Sequence, residues 1–537
     1  MMTSSSSVLL LLLAAVLLVA GFAVVLIRRH RLGNNHRRPP SPPRLPILGN
    51  LHQVGKYPHR TFASLAKRYG DPMLFHFGRK PVLVVTSSVA AREVLKTNDL
   101  IASDRPQIET ANRLLYGVNK DITNAAYGDY WRQLRRLCVL HLLSTRKVQS
   151  GRAVREEEIR LLVNRIKQNA QTVQAVNLSE LLFRLSNDVI CRMALGRKYD
   201  VGGSTNFNFK DLLAEFTGLL GTFTVGDFIP CLWWVNRFTG FDSRVDRVAQ
   251  QFDELLNAAI LESEARNLEK RNNTNSSCSS VITQDNYDDQ TILPFIDTLL
   301  QLQLDEFHLD TDAIKALILD MFVAATDTSA TLLEWTMSEL MKHPRVMKKL
   351  REELRRELVS DEKGEIIIGE ADLERLKYLK LVIKETIRLH PPLPLLLPRQ
   401  FIQDTTILGY DVSAGTMILM DAWAIGRDPA DWTESPGEFW PERFLNSDVD
   451  FRGQDFKLLP FGAGRRGCPG ISFGLAVVEH TLAHLVGKFD WELPGGVEGQ
   501  ELDMTEATGF IAYRKTPLVA IPTINVSQKF GSSWKFE

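Results

Sequence analysis

The feature that most constrains this chain is a glycine-rich loop ending in a cysteine, PFGAGRRGCPG at residues 460–470. Three glycines precede Cys468 and one follows it, so the backbone could approach a flat group closely without an intruding Cβ atom. Apolar residues spaced by three and four then predict a helix with Pro469 at its first position. Those residues are Leu475, Val478, Leu482, Leu485 and Phe489. The positive end of such a helix would stabilise a thiolate, so the loop predicts a cysteine ligand held against a planar cofactor.

The loop reproduces a haem-binding signature, Phe-x-x-Gly-x-Arg-x-Cys-x-Gly, and in this respect the chain resembles the cytochrome P450 family. The matching residues are Phe461, Gly464, Arg466, Cys468 and Gly470. The resemblance implies that haem b (iron protoporphyrin IX) is bound here, with Cys468 as the axial iron ligand. It also implies that Phe461 contacts the haem and that Arg466 pairs with a propionate. A thiolate ligand pushes electron density onto the iron and favours O–O cleavage, the chemistry of oxygen insertion.

The same loop matches a dinucleotide-binding fingerprint, which is the main competing interpretation. Gly462, Gly464 and Gly467 have the G-x-G-x-x-G spacing, and Asp490 lies about twenty residues further on. Only 47 residues follow Asp490, too few for the remaining strand–helix–strand units of such a domain. The sequence therefore does not predict a nicotinamide-binding domain.

Composition is that of a globular protein with a large core. The 537 residues are 44% hydrophobic and 24% charged, and 64 basic side chains balance 64 acidic ones. Bulk charge therefore gives no indication of nucleic-acid binding. The five cysteines are odd in number and show no metal-type pairing, which is typical of a reducing compartment.

The N-terminus predicts a membrane anchor at residues 1–30. Val8 to Ile27 is a stretch of twenty residues without a charge, which is long enough to span the bilayer. Several arginines follow it, and they predict that the downstream chain lies in the cytosol. Residues 31–50 are predicted to form a basic, proline-rich hinge, 51–525 the catalytic domain, and 526–537 a polar tail. The resemblance implies a single-pass protein of the endoplasmic reticulum membrane, in contact with lipid through its anchor.

The remaining pattern predicts a fold that is mainly α with a small β region. Long helical segments are expected near 131–173, 245–270, 311–343, 345–358 and 373–389, and β-like runs near 72–86 and 398–420. The polar stretch 271–290 is predicted to be a solvated loop. The resemblance implies the cytochrome P450 fold, in which the haem lies between a long central helix and the cysteine-bearing loop and helix.

Polar residues interrupt the longest apolar helix at 324–329, AATDTS. Thr328 is expected to donate a hydrogen bond back to the carbonyl of Ala324 and to bend the helix. The residues alone leave open whether Asp327 faces a dry cavity, where it could deliver protons, or solvent. The resemblance to the family's distal motif implies that Asp327 and Thr328 are the oxygen-activating acid and alcohol. Ala325 stands where that motif usually has glycine, so the groove beside bound oxygen is expected to be narrower.

Two further groups of residues match P450 motifs. Glu385 and Arg388 share one helix face, and taken alone they could be an exposed ion pair of small effect. The resemblance implies instead a buried structural network of Glu385 and Arg388 with Arg443. It also implies that Trp131, Arg135 and Arg399 bind the haem propionates.

The substrate pocket is expected to be apolar. By resemblance it is lined by segments 108–122, 216–223, 319–324, 393–397 and 508–511, whose composition favours a hydrophobic or aromatic small molecule. The combinations YGDYWR and WAIGRDP at 127–132 and 423–429 resemble the large plant microsomal group, of A-type or family 71.

This resemblance implies an O₂-dependent monooxygenase that hydroxylates or epoxidises a plant specialised metabolite, with a terpenoid favoured. Electrons would come from a separate NADPH–cytochrome P450 reductase, with cytochrome b5 as a possible second donor. The reductase would meet a basic face of Arg132, Arg136 and Arg465. One alternative is a haem-thiolate enzyme for an aromatic, alkaloid or oxime substrate, including dehydration or isomerisation without oxygen. The other is a membrane-tethered haem carrier without turnover.

Overall fold

A computed structural model describes residues 37–198, 209–222, 224–229, 232–276, 293–305, 309–362 and 364–525. The anchor predicted at 1–30 and the tail predicted at 526–537 lie outside the described residues. The hinge is described from residue 37, and residues 37–50 contain no helix. A bridge from Leu45 to Gly49 turns the chain before it enters the catalytic domain.

Helices make up most of the described chain. They are α1 (Pro58–Tyr69), α2 (Ser88–Arg92), α3 (Glu109–Leu114), α4 (Asp129–Leu137), α5 (Thr145–Ser150), α6 (Arg152–Gln171), α7 (Leu178–Leu195), α8 (Phe209–Leu220), α9 (Val225–Phe228), α10 (Trp234–Phe238), α11 (Phe241–Ser276), α12 (Phe295–Asp305), α13 (Thr311–Lys342), α14 (Pro344–Glu357), α15 (Lys377–Leu389), α16 (Ala422–Ile425) and α17 (Ile471–Lys488). Wider π-helical turns extend α2 and α4, at Glu93–Thr97 and Cys138–Leu142. Short 3₁₀ turns lie at Leu51–Gln53, Glu370–Arg375, Pro441–Phe444, Gly464–Arg466, Pro494–Gly496 and Gly499–Glu501.

The β region consists of short strands in three small sheets. The strands are β1 (Met73–Phe77), β2 (Lys80–Val85), β3 (Val176–Asn177), β4 (Arg399–Gln400), β5 (Thr405–Ile407), β6 (Tyr410–Val412), β7 (Met417–Met420), β8 (Phe489–Glu492) and β9 (Val519–Ile524). The largest sheet has the order β1-β2-β7-β4 and is antiparallel except for the parallel pair β2–β7. The others are β3-β9-β8 and β5-β6. The prediction of a mainly helical fold with a small β region is confirmed.

The central element is α13, a helix of 32 residues capped by the side chain of Asp310, which accepts a hydrogen bond from the backbone N–H of Ala313 at 2.8 Å. It packs against α7, α17 and α15. Among the described residues it is the one helix long and apolar enough to cross a membrane, but 78% of its most apolar window is buried inside the protein. It is therefore the core helix of the domain.

Several predicted element boundaries are wrong. The segment predicted as continuous near 131–173 is divided, because Ser144 caps α5 and the backbone turns at Gly151, where a Cβ atom would lie 2.5 Å from Met193. The cysteine helix begins at Ile471, so Pro469 precedes it. Phe489 starts β8 and is not in that helix. Residues 271–276, predicted as loop, continue α11, since a helix propagates easily once it has formed.

Candidate active site

The cysteine loop is folded so that the Cys468 sulfur is accessible. The loop makes a 3₁₀ turn at Gly464–Arg466, and Gly464 has φ +65°, with a hypothetical Cβ atom only 2.1 Å from the Asp99 carboxylate. The backbone N–H of Cys468 donates to the Phe461 carbonyl at 2.9 Å. The sulfur is exposed and accepts the N–H of Gly470 at 3.4 Å. Glycine is therefore required at position 464 by both backbone conformation and close packing.

The thiol of Cys468 is not activated by the protein alone. Although Cys468 is exposed, the protein atoms packed around its sulfur disfavour the charged form and raise the pKa of the thiol, while the Gly470 N–H and the positive charge of Arg135 act in the opposite direction. The start of α17 reaches the sulfur only through the N–H of its capping residue, Gly470, and this contribution is smaller than the desolvation of the thiolate. A thiolate here therefore needs a bound cation, and a metal ion deprotonates a coordinating thiol outright.

Arg466 lies at the centre of the site, 8% exposed. Its guanidinium lies 4.1 Å from the ring centroid of Trp131 and donates to the carbonyls of Ser103 at 2.7 Å and Ala125 at 2.5 Å. Trp131 and Arg466 also donate to one carbonyl, that of Ile122, at 3.0 and 3.3 Å. The structure thus brings together two of the residues predicted to bind haem.

The other predicted propionate-binding arginines contact the same loop. Arg399 donates to the Ala463 carbonyl and Arg135 to the Gly467 carbonyl, each at 2.6 Å. Sequence reasoning missed Arg105, which is buried beside them and donates to the Leu397 carbonyl at 2.9 Å. A single arginine before a proline in Asp104-Arg105-Pro106 gave no signal that would separate it from a surface residue.

These buried arginines destabilise one another's charged form. Burial, followed by the charge of Arg399, lowers the pKa of Arg466 to about 10. Burial also lowers the pKa of Arg399 to about 10, despite its ion pair with Asp99 at 3.5 Å. The pKa of Arg105 falls well below its ordinary value through burial and then through Arg466 and Arg399. A cluster of this kind fits a group that carries two carboxylates.

The acid of the central helix is buried, and the alcohol beside it is half-buried. Thr328 donates to the Ala324 carbonyl, as expected. Asp327 is 2% exposed, so the solvent-facing alternative is wrong. Burial raises the pKa of its carboxyl to about 7, although hydrogen bonds from Tyr513 and Thr217 act to lower it. An acid that titrates near neutrality suits proton transfer at physiological pH.

The segments predicted to line the substrate pocket approach α13 from several directions. The N–H of Ile122 donates to the buried Asp320 carboxylate at 3.0 Å. At the far end of the site Gly221 lies against Phe510, where a Cβ atom would be 2.5 Å from the phenylalanine Cβ. Sequence reasoning did not single out Asp320, because its partner lies about 200 residues away.

Glu385, Arg388 and Arg443 meet in the interior. Glu385 accepts two hydrogen bonds from Arg388, both at 2.8 Å, and one from Arg443 at 2.9 Å. The side chains of Glu385 and Arg388 are fully buried, and that of Arg443 is 6% exposed. The backbone N–H of Trp440 also donates to Glu385 at 2.8 Å. The exposed-pair alternative is therefore wrong.

The family model for cytochrome P450 matches residues 39–519 of the chain, a range that includes the cysteine loop, the central helix and the buried network. The chain belongs to the cytochrome P450 family. It is a P450 monooxygenase of the plant family 71 type.

Named plant P450s are similar over most of their length. Cytochrome P450 71A6 of Nepeta racemosa is 50% identical over 496 residues, covering 90% of this chain and 93% of that protein. Cytochrome P450 736A117 of Prunus mume is 48% identical over 486 residues, covering 90% and 89%. Norfluorocurarine oxidase of a Strychnos species is 47% identical over 484 residues, covering 89% and 91%.

A P450 uses a haem cofactor, and the residues present fit one. Cys468 offers an accessible sulfur, and the arginine cluster offers positive charge for the propionates. When bound, the haem would supply the chemistry of O₂ activation and oxygen insertion. Cys468 would hold that group, the apolar segments around α13 would exclude water, and Asp327 would keep a proton. Thr328 lies one residue further along the same helix.

Proposed function

We propose that this P450 monooxygenase binds haem b through Cys468 and hydroxylates or epoxidises a hydrophobic plant specialised metabolite. The observation that carries the proposal is the accessible Cys468 sulfur beside a cluster of buried, mutually repelling arginines. Cys468 is the axial ligand, while Arg466, Arg399, Arg135 and Trp131 hold the propionate edge.

Oxygen insertion is preferred over oxygen-independent dehydration or isomerisation. The reason is the buried Asp327, whose carboxyl has a pKa of about 7 and which immediately precedes Thr328. A proton donor of this kind is needed when O₂ is reduced and a water molecule is released. A haem enzyme that only rearranges its substrate has less need of it.

A terpenoid is the preferred substrate class because the segments expected to line the pocket are mostly apolar. One relative is named for the oxidation of norfluorocurarine, so an alkaloid or another aromatic substrate is the second candidate.

The central test is carbon monoxide binding by the reduced, haem-containing protein. The native chain and the Cys191→Ala variant, which removes a buried thiol away from the loop, are expected to share the thiolate-type absorption band. Cys468→Ala is expected to lose it. An unchanged band in Cys468→Ala would contradict the proposal that haem is bound through Cys468. Product analysis with a reductase, and a panel of terpenes, alkaloids, aromatics and oximes, then identifies the substrate class.

Electrons arrive from an NADPH–cytochrome P450 reductase, with cytochrome b5 as a second donor, at a basic hollow on the cysteine side. The hollow has a volume of about 300 Å³ and is lined by Tyr127, Trp131, Arg132, Arg135, Arg136, Val139 and Arg465. Its arginines suit an acidic partner and its position is close to Cys468.

Charge reversal in this hollow tests the docking site. Arg136→Glu is expected to slow reduction by the reductase at least tenfold at low salt, without changing substrate affinity. Arg356→Glu is the matched control, since Arg356 is an exposed arginine on α14. Equal reduction rates for both variants would contradict the proposed docking face.

The protein is anchored in the endoplasmic reticulum membrane by a single N-terminal span, with its catalytic domain in the cytosol. A second apolar surface supports this orientation. Phe238 is 83% exposed and Trp233 62% exposed, and Ile47 in the hinge is 74% exposed. In the β1–β2 turn, Gly78 donates to the Leu48 carbonyl beside Ile47, and Arg79 donates to the carbonyl of Phe228, which precedes the Trp233 segment. Removal of residues 1–30 is expected to leave residual binding to phosphatidylcholine vesicles, which Phe238→Ser weakens.

A further inference from the structure

Asp99 is a carboxylate that no motif singled out, and it contacts the cysteine loop directly. The backbone N–H of Arg465 donates to both of its oxygens, at 3.2 and 3.3 Å. The Asp99 Oδ2 atom also lies 3.2 Å from the Nε atom of Arg465. Packing is tight here, because a Cβ atom at Gly464 would overlap the Asp99 carboxylate. Asp99 therefore closes the 3₁₀ turn at Gly464–Arg466.

The same carboxylate pairs with the buried arginine cluster. Its Oδ1 atom lies 3.5 Å from one terminal nitrogen of Arg399, whose other terminal nitrogen donates to the Ala463 carbonyl at 2.6 Å. Among the residues that the structure describes, no other carboxylate forms an ion pair with Arg105, Arg399 or Arg466. Asp99, Arg399 and the cysteine loop therefore form a closed ring of contacts.

The position of Asp99 is fixed by the chain on both sides of it. The preceding residue, Asn98, follows the π-helical turn that extends α2, and its side chain accepts the Thr405 hydroxyl at 3.0 Å. The following segment runs beside the end of β4, where the N–H of Ile402 donates to the Ile101 carbonyl at 2.9 Å. The strand that carries the paired arginine is thus bonded to the segment that follows Asp99. Little reorganisation is needed to keep such a carboxylate in place.

We propose that Asp99 is a positioning residue that closes the cysteine loop and whose negative charge lowers the reduction potential of the haem iron. This inference rests on the proposed binding of haem through Cys468. A negative charge near a redox centre favours the form with the higher positive charge, which is the oxidised iron. By pairing with Arg399, Asp99 offsets one of the positive charges that would otherwise favour the reduced iron.

The burial of this pair makes the charge effective. The side chain of Asp99 is 16% exposed and that of Arg399 is 8% exposed, so water and salt screen their charges less than at the surface. An amide of the same shape at position 99 would keep an oxygen for the Arg465 N–H but remove the charge. Alanine would remove both. The two parts of the proposal can therefore be separated by two variants.

The first measurement is the one-electron reduction potential of the full-length, haem-containing protein. Asp99→Asn is expected to shift the equilibrium constant for reduction about tenfold toward the reduced form, which corresponds to about 59 mV. The matched control is Asp404→Asn, since Asp404 is exposed and its carboxylate accepts the backbone N–H of Ala414 at 2.7 Å. The control is expected to keep the native potential. An unchanged potential in Asp99→Asn would overturn the role of the Asp99 charge.

Amide hydrogen exchange of the loop at 460–470 is the second measurement, and it follows loop closure directly. Asp99→Ala is expected to accelerate exchange at the Arg465 N–H about tenfold, while Asp99→Asn and Asp404→Asn stay within about twofold of the native rate. A native exchange rate in Asp99→Ala would overturn the positioning role. Absence of the thiolate-type carbon monoxide band in the native protein would instead overturn the proposed function, and exchange at Arg465 would still decide the loop contact.

Discussion

Asp327 shows how one buried residue combines a cost in stability with a use in chemistry. It is 2% exposed. Burial raises the pKa of its carboxyl, two hydroxyl groups act to lower it, and no cation contributes to the shift. The neutral acid is therefore the form that the fold accommodates best. Burial also disfavours the charged form of the arginine cluster, but there it lowers the pKa, that of Arg399 and of Arg466.

The stability of the fold should consequently depend on pH through Asp327. Its pKa is about 7 in the fold against an ordinary 3.8, so between these values the folded protein keeps a proton that the unfolded chain has released. Stability is then lost as pH rises from about 4 to about 7. Asp327→Asn should raise the free energy of unfolding at pH 8, by at most about 4 kcal/mol, and leave it nearly unchanged at pH 4.

Thermal unfolding at the two pH values measures this effect. Glu264→Gln, at an exposed site on α11, serves as the control and should show no such dependence. If Asp327→Asn gained as much stability at pH 4 as at pH 8, the Asp327 carboxyl would not be the source of the pH dependence.

At the scale of an element, α13 shows which features the sequence could predict. Its bounds follow from the cap at Asp310 and from the proline at position 344, and the bond from Thr328 to the Ala324 carbonyl follows from local geometry. Its hydrogen bonds with Ile122 and Ala512 depend on chain segments far away in sequence. Local pattern carries no information on such pairs, so the acid was predicted but its hydrogen-bond partners were not.

Ala325 is the position where α13 departs from the family motif. We expect glycine at this position to make the helix less stable and the groove beside Thr328 wider. Ala325→Gly should lower the free energy of unfolding by about 1 kcal/mol, the helix-propensity difference. It should also raise the product formed per NADPH, because the groove beside Thr328 widens. Ala316→Gly, on the same helix and fully buried, is the matched control for propensity. An equal yield of product per NADPH in both variants would show that the Ala325 methyl group does not restrict the groove.

At the scale of the whole molecule, the Glu385 network joins α15 to the chain that precedes the cysteine loop. Arg388 donates to the carbonyls of Gly426 at 2.7 Å and Pro436 at 2.6 Å, in addition to Glu385. Family motifs could predict the three charged members because each keeps its own local spacing. The carbonyl partners could not be predicted, since any irregular segment offers such acceptors. The same reason explains why Arg105 was missed.

Removing one member of this network should therefore destabilise the entire domain. Arg388→Ala would leave the Glu385 carboxylate buried with only Arg443 and one backbone N–H as partners, at an expected cost of about 3–5 kcal/mol. Arg345→Ala is the control in the same region, because Arg345 is an exposed partner of Glu442 at 2.8 Å, and its loss should cost less than about 1 kcal/mol. Denaturant unfolding and the fraction of haem-loaded protein measure both effects. A similar small loss in the two variants would mean that Arg388 contributes no more than a surface ion pair.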